Sequence, residues 1–213
     1  IEYIASKQKP LLMATGASNI DEVIMAMNAA LKYTQDIVLM QCNTNYTASS
    51  ENFKYINLNV LKEYKARYPD VILGLSDHTP GHATVLGAVA FGARVIEKHF
   101  TDDMMREGPD HKFSMDFNSW KEMVDTTREL EVALGSKSKK IEDNEKETVV
   151  LQRRAIRAKN DLQVGVSITR DMIEVLRPCP KNALPPYRID EILGKTLINH
   201  IVSGECVTWE DLK

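Results

Sequence analysis

Several features that decide the class of a protein early are scarce in this chain. No apolar run approaches the roughly 20 residues that a membrane-spanning helix needs, so no membrane partner is expected. Positive charge is not in excess. The 27 Lys and Arg against 30 Asp and Glu leave a formal charge of −3, which offers nothing to a nucleic acid or an anionic membrane. Cysteine is limited to Cys42, Cys179 and Cys206, without metal-like spacing. That argues against a disulfide framework and for a reducing compartment, with the cytoplasm as the expected location. No secretory leader is visible, and the chain starts at Ile1 rather than Met, so upstream sequence is expected.

What is present is a rhythm. Strand-length apolar runs occur at 10–16 (PLLMATG), 36–42 (DIVLMQC), 71–77 (VILGLSD) and 94–100 (RVIEKHF). Each is continuous rather than alternating, the pattern of strands covered on both faces. Helix-like segments separate them. Ser18 or Asn19 can cap DEVIMAMNAALKY, whose acidic first turn suits the helix dipole. Residues 51–67 place Phe53, Ile56, Leu58, Leu61 and Tyr64 near helical spacing, HATVLGAVAFGA reads as a small packed helix, and FNSWKEMVDTTRELEVALG follows the last strand. Strand–helix alternation of this kind predicts a parallel β/α architecture.

In parallel β/α folds, chemistry gathers at the carboxyl ends of strands. The four ends here read Thr15-Gly16, Cys42-Asn43-Thr44-Asn45-Tyr46, Ser76-Asp77-His78 and Glu97-Lys98-His99. A lone histidine in such a place is commonly a hydrogen-bonded structural residue. Two at matching positions on strands about 4.8 Å apart can also meet at one metal ion, with water or substrate completing an open site. After the fourth strand, TDDMMREGPDHKFSM carries a Gly108-Pro109 turn and then Asp110-His111. It reads either as a solvated acidic turn or as a loop over the site mouth. His82 and His200 receive no role.

The composition shifts near residue 136. Residues 137–150 are charged and poor in apolar side chains, like a linker between a domain at 1–136 and a module at 151–213. That module carries a weak internal repeat. LQVGVSITRDMI (162–173) and IVSGECVTWEDL (201–212) share an aliphatic start, Gly165 with Gly204, Thr169 with Thr208, and Asp171 with Glu210. Each half predicts a strand, a glycine turn, a second short strand and a threonine-capped helical turn.

The stretches GLSDHT (74–79), IEKHFT (96–101), REGPDHKFSM (106–115), RPCPKNALPP (177–186) and LGK (193–195), in this order, closely resemble the sialic acid synthase family. The tail resembles the antifreeze-like (SAF) domain that ends those synthases. The resemblance implies an α/β fold, the C-terminal half of a TIM-type (β/α)8 barrel followed by the small SAF domain. It also implies that the earlier barrel half, with the lysines for phosphoenolpyruvate, is not among these residues. Half a barrel leaves raw strand edges, which an upstream half or partner chains would cover.

The implied reaction condenses phosphoenolpyruvate with the open-chain aldehyde of an N-acetylmannosamine-type sugar. His78 and His99 match the ligands of a divalent metal, Mn2+ or Mg2+, and Glu97 matches an active-site glutamate. Ser76 matches a residue near the phosphate, and Thr15 belongs to the phosphate-facing turn. Thr44 and Tyr46 lie in the sugar loop, and Asp110 matches a residue that binds sugar hydroxyls. Arg177 matches an arginine that reaches the acyl-amino group from a partner in a domain-swapped homodimer. Two departures stand out. Ala14 replaces a serine before Thr15-Gly16, and Thr44-Asn45-Tyr46-Thr47 replaces the usual Asn or Ser, any residue, Tyr, Pro. The second leaves N-acetylneuraminate, legionaminate, pseudaminate or a spore-coat sugar open as product, and a non-catalytic carbohydrate-binding homologue remains the alternative of another class.

Overall fold

The computed structural model describes residues 1–46 and 49–213, so Thr47 of the departing sugar loop lies outside the described residues. The chain divides into two compact units, Ile1–Ser136 and Lys137–Lys213.

The first unit is an α/β layer. After a short helix α1 (Glu2–Ala5), strands β1 (Leu11–Ala14), β2 (Ile37–Cys42), β3 (Ile72–Asp77) and β4 (Ala93–Lys98) pair in parallel, in sequential order. The crossovers carry α2 (Ile20–Leu31), α3 (Val60–Arg67) and α4 (Ala83–Ala90), and α5 (Phe117–Leu134) closes the unit. Local chemistry sets these boundaries. Asn19 caps α2, accepting from Glu22 N while the Glu22 carboxylate takes the Asn19 amide, and Asp116 with Ser119 does the same for α5. The segment 51–67, expected as one helix, is broken into a 3-10 turn at Ser50–Tyr55 and α3. Asn57, at φ 51°, sits in the left-handed region and cannot carry a helix through.

Sequential parallel strands joined by right-handed crossovers place every crossover helix on the same side of the sheet. The core agrees: Ile37, Leu39, Leu73 and Leu75 cluster with Val23, Met27, Leu61, Tyr64, Val85, Ala88 and Met123 from the helices. Leu39, Leu73 and Leu75 are at most 2% exposed, each stabilising the layer by about 1.5–3 kcal/mol. The opposite face carries the register rows Val38–Ile72, Met40–Gly74 and Cys42–Ser76–Glu97. There Leu12 is 55% and Ile72 49% exposed. The expectation that all four strands are covered on both faces therefore holds for β2, buried along its length, and not for β1, whose exposure alternates. β1 and β4 are edges, and helices cover only one side.

In the second unit, β5 (Ala155–Ala158) and β6 (Ile173–Leu176) pair antiparallel, around a core of Ile156, Ile168, Ile173, Leu184, Ile192, Leu197, Ile201 and Val207. The sequence repeat has a structural counterpart. Leu162 and Ile201, equivalent in the two halves, exchange both backbone hydrogen bonds with each other (2.8 and 3.0 Å). Gly165 and Gly204 turn at φ 84° and 83°, and each half ends in a 3-10 turn opened by Thr169 or Thr208. Part of the expected linker is ordered: Glu142 and Glu145 form a reciprocal cap ahead of α6 (Lys146–Gln152), and Cys179 N donates to Val150 O. Charge on that segment marked a solvated helix rather than an extended connection.

Candidate functional site

Asp77 and Lys98, the last residues of β3 and β4, are register partners. The residues that follow them, His78 and His99, consequently leave adjacent strands side by side, with ring centroids 5.1 Å apart. Tyr46, on the loop after β2, lies 4.4 Å from the His78 ring and 5.8 Å from that of His99. The chain beyond His99 loops round and comes alongside it in parallel, with Met115 N donating to His99 O and Thr101 N to Met115 O (both 2.9 Å). This return carries Phe113, 3% exposed, to 4.9 Å from His99 and 6.1 Å from His78, edge against face. Phe113 was not singled out from the sequence, although it stands inside REGPDHKFSM.

His78 is 4% exposed, and its Nδ1 lies 2.8 Å from the carbonyl oxygen of Asn43. A carbonyl can only accept, so Nδ1 bears the hydrogen and the neutral ring keeps its lone pair on Nε2. Metal-ligating histidines commonly use such a bond to fix their tautomer. His99 Nδ1 is 3.6 Å from Asp110 Oδ2, an ion-pair separation too long for a hydrogen bond. Among the described residues no group of three or more His, Cys, Asp or Glu is placed to hold a metal. Two imidazoles alone would leave a cation to draw its other donors from water or substrate oxygens.

The other sequence-predicted residues distribute as follows. Glu97 is exposed on the open face, opposite buried Ser76, which in turn pairs with Cys42. Burial pushes the Cys42 thiol up, against the opposing hydrogen bond from Ser76. Asp110 is exposed beside His99, its backbone oxygen accepting from Ser114 Oγ. Thr44 is exposed and lines a cavity of about 800 Å3 with Thr15, Gln41, Asn43, Asn45 and Tyr64. Gly16 permits this approach, since an added Cβ would stand 2.2 Å from Thr44 Cγ2.

Thr15 stands apart from the open-face residues. Its hydroxyl is buried, donating to Met40 O (2.9 Å) and accepting from Tyr64 (3.0 Å). The reason is strand parity, which turns Thr15 toward the helix-covered side. Arg177 belongs to the second unit and is exposed just after β6. A cavity of about 610 Å3 in that unit is lined by Arg153, Arg154, Cys179 and Tyr187 among others, and Arg177 is not part of its lining. Among the described residues no helix is long and apolar enough to cross a membrane.

Comparison with known proteins matches residues 1–139 to the NeuB family and residues 153–213 to the SAF domain. The chain belongs to the NeuB family. It is 35% identical to the N,N'-diacetyllegionaminic acid synthase of Legionella pneumophila, over 100% of this chain and 60% of that protein. It is 30% identical to the N-acetylneuraminate-9-phosphate synthase of Mus musculus, over 100% of this chain and 58% of that protein. The crystal structure of N-acetylneuraminic acid synthetase from Leptospira borgpetersenii, in complex with citrate, superposes with a TM-score of 0.62 at 26% identity. That match covers 70% of this chain and 50% of the other. The chain thus spans about 60% of the length of the curated relatives it matches.

Proposed function

We propose that this chain forms the sugar-activating side of a nonulosonate synthase, which condenses phosphoenolpyruvate with the open-chain aldehyde of an N-acetylmannosamine-type sugar and releases phosphate. The observation that carries the reading is the His78–His99 pair, two imidazoles 5.1 Å apart at the ends of neighbouring parallel strands, one with its tautomer set by the Asn43 carbonyl. N-acetylneuraminate is the product first expected from the sequence. The 35% identity to a legionaminic acid synthase, against 30% to an N-acetylneuraminate-9-phosphate synthase, favours a legionaminate-type product as the second reading.

The four-stranded sheet fits as the C-terminal half of a (β/α)8 barrel. Its helices lie on one face, its strand order is sequential, and its open face presents the Cys42–Ser76–Glu97 row as a barrel interior would. Two free edges and a half-exposed face call for further strands, from the same polypeptide or a partner.

His78 and His99 would hold Mn2+ or Mg2+, and the bound cation would supply Lewis-acid polarisation of the sugar carbonyl. Around that point the chain's own groups divide the work. Tyr46 offers a ring against the sugar, and Asp110 and Thr44 offer acceptors and a hydroxyl to the sugar's oxygens. Glu97, exposed on the open face, takes a proton from the water that adds to the former enol carbon, and its charge favours the cationic character developing there. Ser76 stands near the departing phosphate. Lys98 does not serve that phosphate, because its side chain is 0% exposed and ion-paired to Asp77. Arg177 would reach the acyl-amino group of the sugar from the partner subunit of a swapped dimer.

The test is phosphate release by the full-length protein, with phosphoenolpyruvate, Mn2+ and a panel of acetamido- and diacetamido-hexoses. The sugar giving fastest release identifies the acceptor. Absence of release with every sugar refutes the enzyme reading and leaves a binding homologue.

A further inference from the structure

Asp77 and Lys98 form a pair that the chemistry above does not use. Both side chains are 0% exposed, and Lys98 Nζ lies 2.6 Å from Asp77 Oδ2. The Asp77 carboxylate also accepts from Thr79 N (3.1 Å), from Thr79 Oγ1 (3.0 and 2.9 Å) and from Thr84 Oγ1 (2.6 Å). Lys98 Nζ makes a second bond of 2.6 Å, to the backbone oxygen of Thr79. Strand parity puts this network on the helix-covered face, away from Ser76 and Glu97.

The arrangement brackets the histidines. Asp77 precedes His78 and Thr79 follows it, and one ammonium group binds both. That ammonium belongs to Lys98, whose next residue is His99. Asp77–Lys98 is also the last pair of the β3–β4 ladder, so beyond it no ladder hydrogen bond fixes the separation of the two chains. A fully buried ion pair is seldom a gain in stability over apolar side chains of similar volume. What it provides is direction, since charge-assisted bonds are short and geometrically specific. We propose that Asp77 and Lys98 act as a positioning clamp that sets the spacing and ring orientation of His78 and His99. The proposal deepens the metal reading given above and rests on it.

The test uses the double variant Asp77→Asn/Lys98→Met in the full chain, which leaves no buried charge unpaired. Two quantities are read: Mn2+ affinity by calorimetry, and the His78 and His99 imidazole 15N shifts at about pH 8, where an unperturbed ring is neutral. The wild type is expected to show His78 as the Nδ1–H tautomer. The double variant is expected to stay folded by circular dichroism, to show averaged tautomers, and to bind Mn2+ about tenfold or more weakly, the range seen when a ligand's support is removed. Unchanged shifts and unchanged affinity overturn the clamp. If wild type and His78→Ala bind Mn2+ equally, the metal reading fails instead, and the imidazole spectrum still decides whether the pair orients the rings. Should the double variant not fold, Thr84→Val removes one bond to Asp77 together with the 3.0 Å contact to Thr79 Oγ1, and leaves the ion pair in place. A shifted His78 resonance with severalfold weaker Mn2+ binding then supports the clamp, and identity with wild type in both refutes it.

Discussion

Replacing Phe113 separates what the aromatic wedge does for the fold from what it does for the histidines. The residue is 3% exposed, and its ring meets that of His99 at a centroid distance of 4.9 Å and 64° between planes, with His78 further off at 6.1 Å. Phe113→Ala deletes a whole buried ring, a change that costs about 3–5 kcal/mol. Phe113→Leu keeps most of the apolar burial and gives up the edge-to-face contact, worth about 0.5–1.5 kcal/mol beyond area. If all of that energy orients His99 for a cation, Mn2+ affinity falls by about 2- to 13-fold. Urea unfolding measures the first quantity and calorimetric Mn2+ titration the second. A Phe113→Ala loss below about 1 kcal/mol, together with a Phe113→Leu affinity equal to wild type, refutes the wedge.

Three further outcomes follow from the same geometry. Gly74→Ala places a Cβ 2.8 Å from Met40 Cγ and 2.8 Å from the Val95 backbone oxygen. Because the backbone must shift, urea unfolding should show a loss of about 1–3 kcal/mol, and no loss contradicts the packing. Burial raises both the Cys42 thiol and the Tyr64 phenol. Each group whose folded pKa is raised contributes stability that is complete below its unfolded pKa and is lost as pH rises through the folded one. Stability should therefore decline from about pH 8.5 upward, first through the thiol and then near pH 10 through the phenol. Tyr64→Phe should flatten the upper part of that decline in a pH series of unfolding curves, and an unchanged slope counts against phenol burial as the cause. Finally, if the proposed condensation is the activity, Arg177→Ala in the full-length protein should raise the KM for the sugar several-fold and leave that for phosphoenolpyruvate unchanged. An equal rise in both removes Arg177 from the sugar contact, and Arg154→Ala then tests the arginine-lined cavity of the second unit.

The sheet was legible because a strand covered on both faces reads as a nearly continuous apolar run, and β2 is buried at every position with Gln41 as its polar exception. An apolar run does not say whether both of its faces are covered, so the exposure of Leu12 on the edge strand β1 and of Ile72 on the open face of β3 became visible only with strand order and register. The two histidines were legible by matching position at strand exits. Their support was not. Asn43 acts through a carbonyl, which every residue possesses, and no side-chain pattern flags it. Phe113 reaches the rings because the loop returns along His99 through backbone bonds, a path that its polar sequence does not encode in any obvious period. Thr15 was assigned to the site by its neighbours in sequence, whereas strand parity points its hydroxyl at Met40 and Tyr64. The Asp77–Lys98 pair needed the β3–β4 register, and a one-residue slip in it would have separated the two charges.

The proposed chemistry requires that His78 and His99 ligate one cation together. Pulsed electron paramagnetic resonance of Mn2+ bound to the full chain measures this directly, through the nitrogen nuclei coupled to the ion. Two directly coordinated imidazole nitrogens are expected in the wild type, and one in either His78→Ala or His99→Ala. Bound Mn2+ without imidazole coupling, or a coupling that survives both substitutions, contradicts it.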